Sequence, residues 1–573
     1  MKAEKEEVSM NDTKVQSEIK TKLVFLYGAK RGIETYNRLA KLMDGYKDSI
    51  SSRYFEFSQK DIVLITYGDG FLKKGSKPLE ALHDFLIQNV KGSMSIVHIL
   101  PFFPYSSDDG FSVIDYKQVN PAIGSWEDIK RLGKSYNLMF DAVINHISAK
   151  SKEFREFLNG NKKYKNFFIT VEPDYDTTRV FRPRALPLLT AFNAPWGKLK
   201  LWTTFSTDQI DLNYENPDVL LYIIDILLFY VTQGASLIRL DAIAFLWKES
   251  GTECLHLPQT HTVIKLFRQI FDYIAPHVKI ITETNVPHKD NISYFGNGND
   301  EAHMVYNFAL PPLAVHAVVT GNASYLTDWA ASLSLPGEQT WFYNFTASHD
   351  GIGLLPARGI LPEHEIETLI RTTEKHRGKL GLKNNPDGST SVYELNISLF
   401  DLLSDPASGE PVSMQVSRLI ASQAIALSLQ GIPAIYFHTL VGSQNFYKGV
   451  EKTGANRSIN REKLSLERLE KELSRPDSLR AQVFGRLKQL VDVRRMHPAF
   501  HPDGSQNIVV LDSGIFAVER ISPDEDETLL AMVNVTNTDR AVKQVKEYRY
   551  DVITGREFSG TIKIGPYEVL WLS

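Results

Sequence analysis

Eight short, β-rich apolar runs separated by amphipathic stretches constrain this chain more than any other feature of its sequence. They are Ile62–Tyr67, Ser95–Leu100, Met139–Asn145, Ser236–Asp241, Lys279–Glu283, Met304–Phe308, Phe342–Ser348 and Ile432–Phe437. Strands that alternate with helical patterns build βαβ units and a parallel sheet. Eight of them suit an α/β fold of the (β/α)8 TIM barrel type, whose site lies at the C-terminal strand ends. Most of the runs end in a polar or ionisable residue, among them His146, Asp241, Glu283 and the pair His349-Asp350. One such residue marks no more than a strand exit. Acids and histidines at several exits favour a site.

The length of 573 residues exceeds one compact core. We expect an N-terminal leader over 1–60, helix-like around Ile33–Leu42. The barrel should span 61–500, with inserted loop subdomains at about 148–204 and 351–412. A C-terminal antiparallel β domain over 504–573 is read from the runs Ile508–Leu511, Ile515–Arg520 and Leu529–Val533. Insertions of that length are often functional. The net charge of -4 argues against a nucleic-acid partner. The apolar stretch Val219–Val231 is interrupted by Asp225 and is too short to span a bilayer, so it reads as a buried helix and no membrane partner is expected. The single cysteine, Cys254, fits a reducing compartment, and the polar start of the chain lacks the apolar core of a secretory signal. The expected location is the cytoplasm. A homodimer is left open.

Ile238-Arg239-Leu240-Asp241-Ala242 sets an arginine and an aspartate two apart on a strand, hence on one side of it. A cationic neighbour keeps a carboxylate ionised, as an attacking group requires, although the same pair serves equally as a structural salt bridge. Ile280-Ile281-Thr282-Glu283-Thr284 ends an apolar strand in an acid, where desolvation raises the pKa and keeps a proton available. Retaining glycosidases hold two carboxyl groups ~5–5.5 Å apart, a separation that the ends of adjacent barrel strands can supply. Ser348-His349-Asp350, and Asp141 through Asn145-His146, add groups suited to sugar hydroxyls. No metal is expected, because no close second His or Cys completes a ligand set, and no cofactor is expected.

The segments Asp141-Ala-Val-Ile-Asn-His146, Ile238-Arg-Leu-Asp-Ala242, Thr282-Glu283 and Ser348-His-Asp350 resemble, in order and spacing, the motifs of the α-amylase family. The resemblance covers roughly 62–573. It implies Asp241 as nucleophile, Glu283 as acid/base and Asp350 as transition-state stabiliser, with His146, Arg239 and His349 holding a donor glucosyl unit. Leu100-Pro-Phe-Phe-Pro104, Asp108-Asp109-Gly110-Phe111, Asp208-Gln209-Ile210-Asp211, Lys248-Glu249-Ser-Gly-Thr252, Phe308-Ala-Leu-Pro-Pro312, His349-Asp-Gly-Ile-Gly353 and Ile459-Asn-Arg461 look like sucrose phosphorylases and their relatives. That narrower likeness implies Asp108 and Arg461 closing the glucose subsite, with Gln209 beside it. It also implies aromatic walls from Phe111 and Phe205, for which core packing is the competing role.

Phe181-Arg182-Pro183-Arg184 resembles the phosphate-binding loop of sucrose phosphorylases, where Arg184 is the better match, and Tyr393 matches a tyrosine on the facing loop. A solvated arginine pair is the alternative. Two positions depart from the sucrose pattern: Phe245 replaces a tyrosine and Ser391 an aspartate that contacts fructose. Removing that acid lessens repulsion of an anionic acceptor. The arginine loop, the Trp202–Gln209 run and Asn297-Gly-Asn-Asp-Glu301 look most like glucosylglycerate phosphorylases. The implied partners are therefore an α-glucoside, with 2-O-α-glucosylglycerate favoured, and inorganic phosphate. Sucrose, sucrose 6-phosphate or glucosylglycerol as donor, a hydrolase or transglucosylase, and a non-catalytic amylase-like protein are the competing readings. The last conflicts with the presence of all three acids.

Overall fold

The eight apolar runs become the eight strands of a closed parallel barrel. The computed structural model describes residues 2–50, 54–385, 387–543 and 548–573. The barrel strands, numbered in chain order, are β1 (Val63–Thr66), β2 (Ile96–Ile99), β3 (Asn137–Val143), β4 (Ala235–Asp241), β5 (Lys279–Thr282), β6 (Met304–Tyr306), β7 (Trp341–Phe345) and β8 (Ile432–Tyr436). The ring closes where Val63 of β1 pairs with Ala434 of β8. Nearly every strand position is buried, because side chains fill the inside and helices cover the outside. That double burial is why the runs read as continuous rather than alternating.

Register decides which strand ends meet. Asp141 of β3 lies opposite Arg239 of β4, and Val143 opposite Asp241. Thr282 of β5 lies opposite Leu240, so Glu283 follows directly beside Asp241. A one-residue slip would move these side chains to the other face of the sheet.

The apolar stretch before β4 forms a helix, Pro217–Thr232. Asn216 caps it by accepting from the Asp218 N–H at 3.1 Å, and Pro217 sits in its first turn. Asp225, which interrupts the apolar run, accepts from Lys117 Nζ at 2.6 Å and from the Tyr46 hydroxyl at 2.7 Å. Among the described residues no helix is long and apolar enough to cross a membrane.

The helical reading near Ile33–Leu42 captures only part of an N-terminal helical segment that runs over Lys2–Lys47. Its polar composition conceals a buried stripe of Ile19, Leu23, Leu39 and Met43. Gly28 (φ 75°, ψ 165°) breaks the helical path between its two parts. The segment is tied to the barrel by Tyr27 Oη donating to the Tyr214 carbonyl at 3.1 Å, just before helix Pro217–Thr232, and by Lys22 Nζ donating to Gln269 Oε1 of helix Pro258–Ile274 at 2.8 Å.

Both long insertions carry structure of their own. The first contains helix Lys152–Leu158 and the hairpin Leu189–Ala194/Gly197–Trp202. The second contains helix Glu363–Lys375 and the antiparallel pair Lys379–Asn384/Thr390–Asn396. Near the C-terminus, Ser505–Ile508, Ile515–Ile521, Thr528–Asn534 and Val569–Leu572 form an antiparallel sheet. The first of these strands precedes the apolar run Ile508–Leu511 that was expected to form it. Edge pairing of Gln506 with Arg520 and Asn507 with Glu519 sets its position, while Val510 stays 81% exposed.

Arg520 joins this sheet, and Arg494 the helix Leu479–Met496, to the end of helix Val412–Ser428. Arg520 donates to the Ser428 carbonyl at 3.1 Å and the His501 carbonyl at 2.7 Å. Arg494 donates to the Leu427 carbonyl at 2.9 Å and the Phe500 carbonyl at 3.0 Å. Both are buried, and each takes carbonyls that a helix end or turn leaves unmatched. Arg520→Met would strand these carbonyls at ~1–3 kcal/mol for each unsatisfied group. We expect a clearly lower midpoint of thermal unfolding with kcat/KM intact at low temperature. An unchanged midpoint would show that water replaces the guanidinium without cost.

Candidate active site

The C-terminal ends of β3, β4, β5 and β7 open into a pocket lined by Asp108, Phe111, His146, Phe181, Arg184, Phe205, Gln209, Asp241, Phe245, Glu283, Asn285, His349, Asp350, Tyr393 and Arg457, among others. Eleven of the thirteen residues singled out in the sequence line it. Arg239 and Arg461 do not. Arg239 lies beneath the floor, and Arg461 stands behind Asp108 and Asp350.

Arg239 organises the floor. Its Nη1 donates to Asp141 Oδ1 at 2.6 Å and to Asp241 Oδ1 at 2.8 Å, and its Nη2 stands 3.8 Å from Glu283 Oε2. His98 Nε2 bonds the other oxygen of Asp141 at 3.0 Å. Ala242, directly after Asp241, is left-handed (φ 52°), a conformation costing ~1–2 kcal/mol without a compensating contact. The compensation is visible: the Ala242 N–H donates to Glu283 Oε2 at 3.0 Å. The adjacent exits of β4 and β5 thus hold the two carboxyl groups in a fixed relation.

Asp350 differs in protonation from these two. Burial pushes the Asp241 carboxyl well above its usual range; Arg239 opposes this, and the nearby carboxylates of Glu283, Asp141 and Asp350 add to it. Burial raises Glu283 as well, against Arg239. Burial also acts on Asp350, but there Arg457, His349, Arg461 and Arg239 outweigh it and hold the carboxyl well below its usual range. Asp350 is therefore anionic, while Asp241 and Glu283 contend for a proton.

The walls come from loops. Phe111 stacks on His349 with ring centroids 4.8 Å apart and planes 1° from parallel. The Phe111 carbonyl is bonded by His146 Nε2 at 2.8 Å and accepts from Gln209 Nε2 at 3.1 Å. Asp108 and Asp109 are both left-handed (φ 52° and 48°) and lead into Gly110 (φ 115°). A Cβ there would lie 2.5 Å from the Pro101 carbonyl oxygen, so the turn requires glycine. Arg461 anchors this strained corner, meeting Asp108 at 3.3 Å, Asp109 at 3.1 Å and Asp350 at 3.5 Å. Phe205 lies 5.3 Å from His146 and 5.4 Å from Phe245. Among the described residues, His349 Nδ1 and Asn285 Oδ1 are buried without a hydrogen-bond partner. A pocket with such groups is suited to a polyhydroxylated ligand that would satisfy them.

The two arginines of the first insertion separate. Arg182 Nη2 donates to the Leu186 carbonyl within its own loop. Arg184 lines the pocket with its guanidinium 5.7 Å from the Tyr393 ring centroid. Tyr393 is the extra residue of a β-bulge, since Glu394 pairs with Gly381 and Val392 with Leu382. Bulges re-aim side chains, and here Tyr393 turns toward the pocket.

Over 96% of its length the chain is 48% identical to the glucosylglycerate phosphorylase of Spirochaeta thermophila, 97% of which is covered. Residues 90–350 match the family described as alpha amylase, catalytic domain. The chain belongs to the α-amylase family. It is an enzyme of the glycosyl-transferring phosphorylase class. The glucosylglycerate phosphorylase of Escherichia coli is 45% identical over 96% of this chain and 98% of its own. In fold, this α-amylase-family enzyme is like the sucrose 6F-phosphate phosphorylase of Thermoanaerobacter thermosaccharolyticum, with a TM-score of 0.73 at 23% identity over 90% of this chain and 99% of that one.

Sequence reasoning missed Arg457 in this α-amylase-family site. Arg457 forms ion pairs with Asp350 and with Glu394 (2.7 Å) and donates to the Tyr393 hydroxyl at 3.2 Å. The available signal was its spacing, four residues before Arg461 in the helical turn Asn456–Asn460. Asn285, two residues past Glu283, carried no pattern of its own.

Proposed function

We propose that this enzyme is a retaining phosphorylase that cleaves 2-O-α-glucosylglycerate with inorganic phosphate, yielding α-D-glucose 1-phosphate and D-glycerate. The observation that carries the phosphate assignment is the state of Arg184. Among the described residues, Arg239, Arg457 and Arg461 each meet a carboxylate, whereas Arg184 lines the pocket with no carboxylate partner. A guanidinium held beside a substrate pocket without a counter-charge is suited to an incoming oxyanion. The named relatives support glucosylglycerate as the donor.

In this reading the reaction is a double displacement. A carboxylate oxygen of Asp241 attacks the anomeric carbon and the bond to the glycerate oxygen breaks. Glu283 gives its proton to that oxygen. Phosphate then enters, its oxygen attacks the anomeric carbon from the opposite side, Asp241 departs as carboxylate, and the proton of phosphate returns to Glu283. Asp241 and Glu283 titrate as a pair. Burial and the neighbouring carboxylates push Asp241 up further than Glu283, and the Ala242 N–H favours an anionic Glu283. Against this, the direct 2.8 Å bond from Arg239, which meets Glu283 only at 3.8 Å, favours the anion on Asp241, and in this reading the proton rests on Glu283. Asp350, anionic and beside the pocket, would stabilise the positive charge that develops on the sugar ring. A cytoplasmic setting fits the single, unpaired Cys254.

The test is synthesis from glucose 1-phosphate with D-glycerate, glycerol, fructose and fructose 6-phosphate supplied separately, reading phosphate release. Preference for another acceptor would replace the donor assignment, and turnover indifferent to phosphate would replace the phosphorylase chemistry. Arg184→Ala is expected to raise the apparent constant for phosphate ~10- to 100-fold. Hydrolysis of the glucosyl-enzyme should persist, and Arg184→Lys should recover only part of the loss, because an ammonium lacks the planar fork. Parallel falls in hydrolysis and phosphorolysis, with unchanged phosphate dependence, would make Arg184 structural.

A further inference from the structure

A second cation stands beside the pocket without a counter-charge, and the proposed reaction does not use it. Lys383 lies near the end of strand Lys379–Asn384 in the second insertion, directly opposite Ser391 of strand Thr390–Asn396. It is half-buried, and its ammonium sits 5.8 Å from the ring centroid of Phe181, a pocket-lining residue of the arginine loop. Its hydrogen bond is to a neutral acceptor, Asn385 Oδ1, at 3.1 Å. That same oxygen accepts from Ser391 Oγ at 3.0 Å. An ammonium has three donors, and one neutral amide oxygen does not balance its charge.

Surrounding charges do not change this. Arg358, the charged group that acts on Lys383 besides burial, is itself a cation, and it is already paired with Glu363 at 2.9 Å. The cross-strand position is a serine. Among the described residues, Lys383 has no ion pair with a carboxylate. Burial and Arg358 both lower its pKa, so an anion arriving beside it would relieve an unfavourable environment. Stacking of the ammonium on Phe181 is a weak hold, and it sets the charge against the wall of the arginine loop.

We propose that Lys383 is a specificity-determining residue that recognises the carboxylate of the acceptor. This inference rests on the phosphorylase reading above, in which phosphate and an anionic acceptor occupy one region in turn. The two unpaired cations divide that work. Arg184 offers a fork suited to the three oxygens of phosphate. Lys383, on the facing strand pair, offers a point charge for a carboxylate one short carbon chain away from the hydroxyl that leaves or attacks. A neutral acceptor would have no use for it.

The experiment measures kcat/KM in the synthetic direction, from glucose 1-phosphate, for D-glycerate and for glycerol. These acceptors are similar in size and differ in the carboxylate. It uses the full-length wild type, Lys383→Met and Lys383→Arg. Lys383→Met should lower the glycerate-to-glycerol ratio ~10- to 100-fold, the effect of removing one charge-assisted hydrogen bond. Lys383→Arg should restore most of it. The ratio is insensitive to the fraction of folded enzyme. If the wild type prefers glycerate and the ratio does not move in Lys383→Met, the lysine is a structural partner of Phe181 and the inference is overturned. If the wild type does not prefer glycerate over glycerol, the acceptor reading fails and this inference falls with it.

Discussion

Asp241→Asn is expected to abolish turnover, with a loss on the order of 10⁴-fold or more, while the protein remains folded. The substitution is clean for a geometric reason. The side-chain carbonyl of asparagine can still accept the 2.8 Å bond from Arg239 Nη1, so the floor built from Asp141, Arg239 and the Ala242 turn is retained. What disappears is the anionic oxygen that forms the bond to the anomeric carbon. Phosphorolysis and glucosyl-enzyme formation should both vanish, the second read by intact-protein mass after mixing with a glucosyl fluoride. Near-normal phosphorolysis by a pure, sequence-verified variant would take the nucleophile role away from Asp241.

Glu283→Gln should divide donors by leaving group. The natural glucoside needs a proton on its departing oxygen, so its cleavage should fall ~10²–10⁴-fold, the usual contribution of a positioned acid. A glucosyl fluoride needs little protonation and should form the glucosyl-enzyme nearly as fast as with the wild type. Equal losses for both donors, with glycosylation rate-limiting, would count against the acid role. The same variant carries a stability signature. Burial raises the folded-state pKa of Glu283 above its ordinary value of 4.5. The folded protein therefore binds more protons than the unfolded chain between those two values. The stability this group contributes is complete below about pH 4.5 and is lost as pH rises through the folded-state pKa. Glutamine has no such titration. The unfolding midpoint of Glu283→Gln, compared with wild type, should accordingly gain as pH is raised from the acid side to neutrality. A difference independent of pH would mean that Glu283 does not bind its proton more tightly in the fold.

The division between sequence and tertiary structure follows from how each kind of signal arises. Barrel strands buried on both faces must be apolar along their whole length, so all eight were legible as runs, and their ends pointed to Asp241, Glu283, His349 and Asp350. An edge strand answers to pairing rather than burial, so Ser505–Ile508 was displaced from the expected run. A helix with a narrow apolar stripe is largely polar, so most of Lys2–Lys47 went unread. The family motifs were local enough to bring eleven of thirteen named residues to one pocket.

By itself, then, the sequence determined the strand runs, the acids at their exits and the arginine loop, because each is written in contiguous residues. It could not determine which charges are already spent. That Arg182 is bound to its own loop while Arg184 is free of carboxylates depends on how the chain folds back. So do the multiple ion pairs of Arg457 and the lack of one for Lys383. These are properties of neighbours far apart in the chain, and only the folded structure sets those distances.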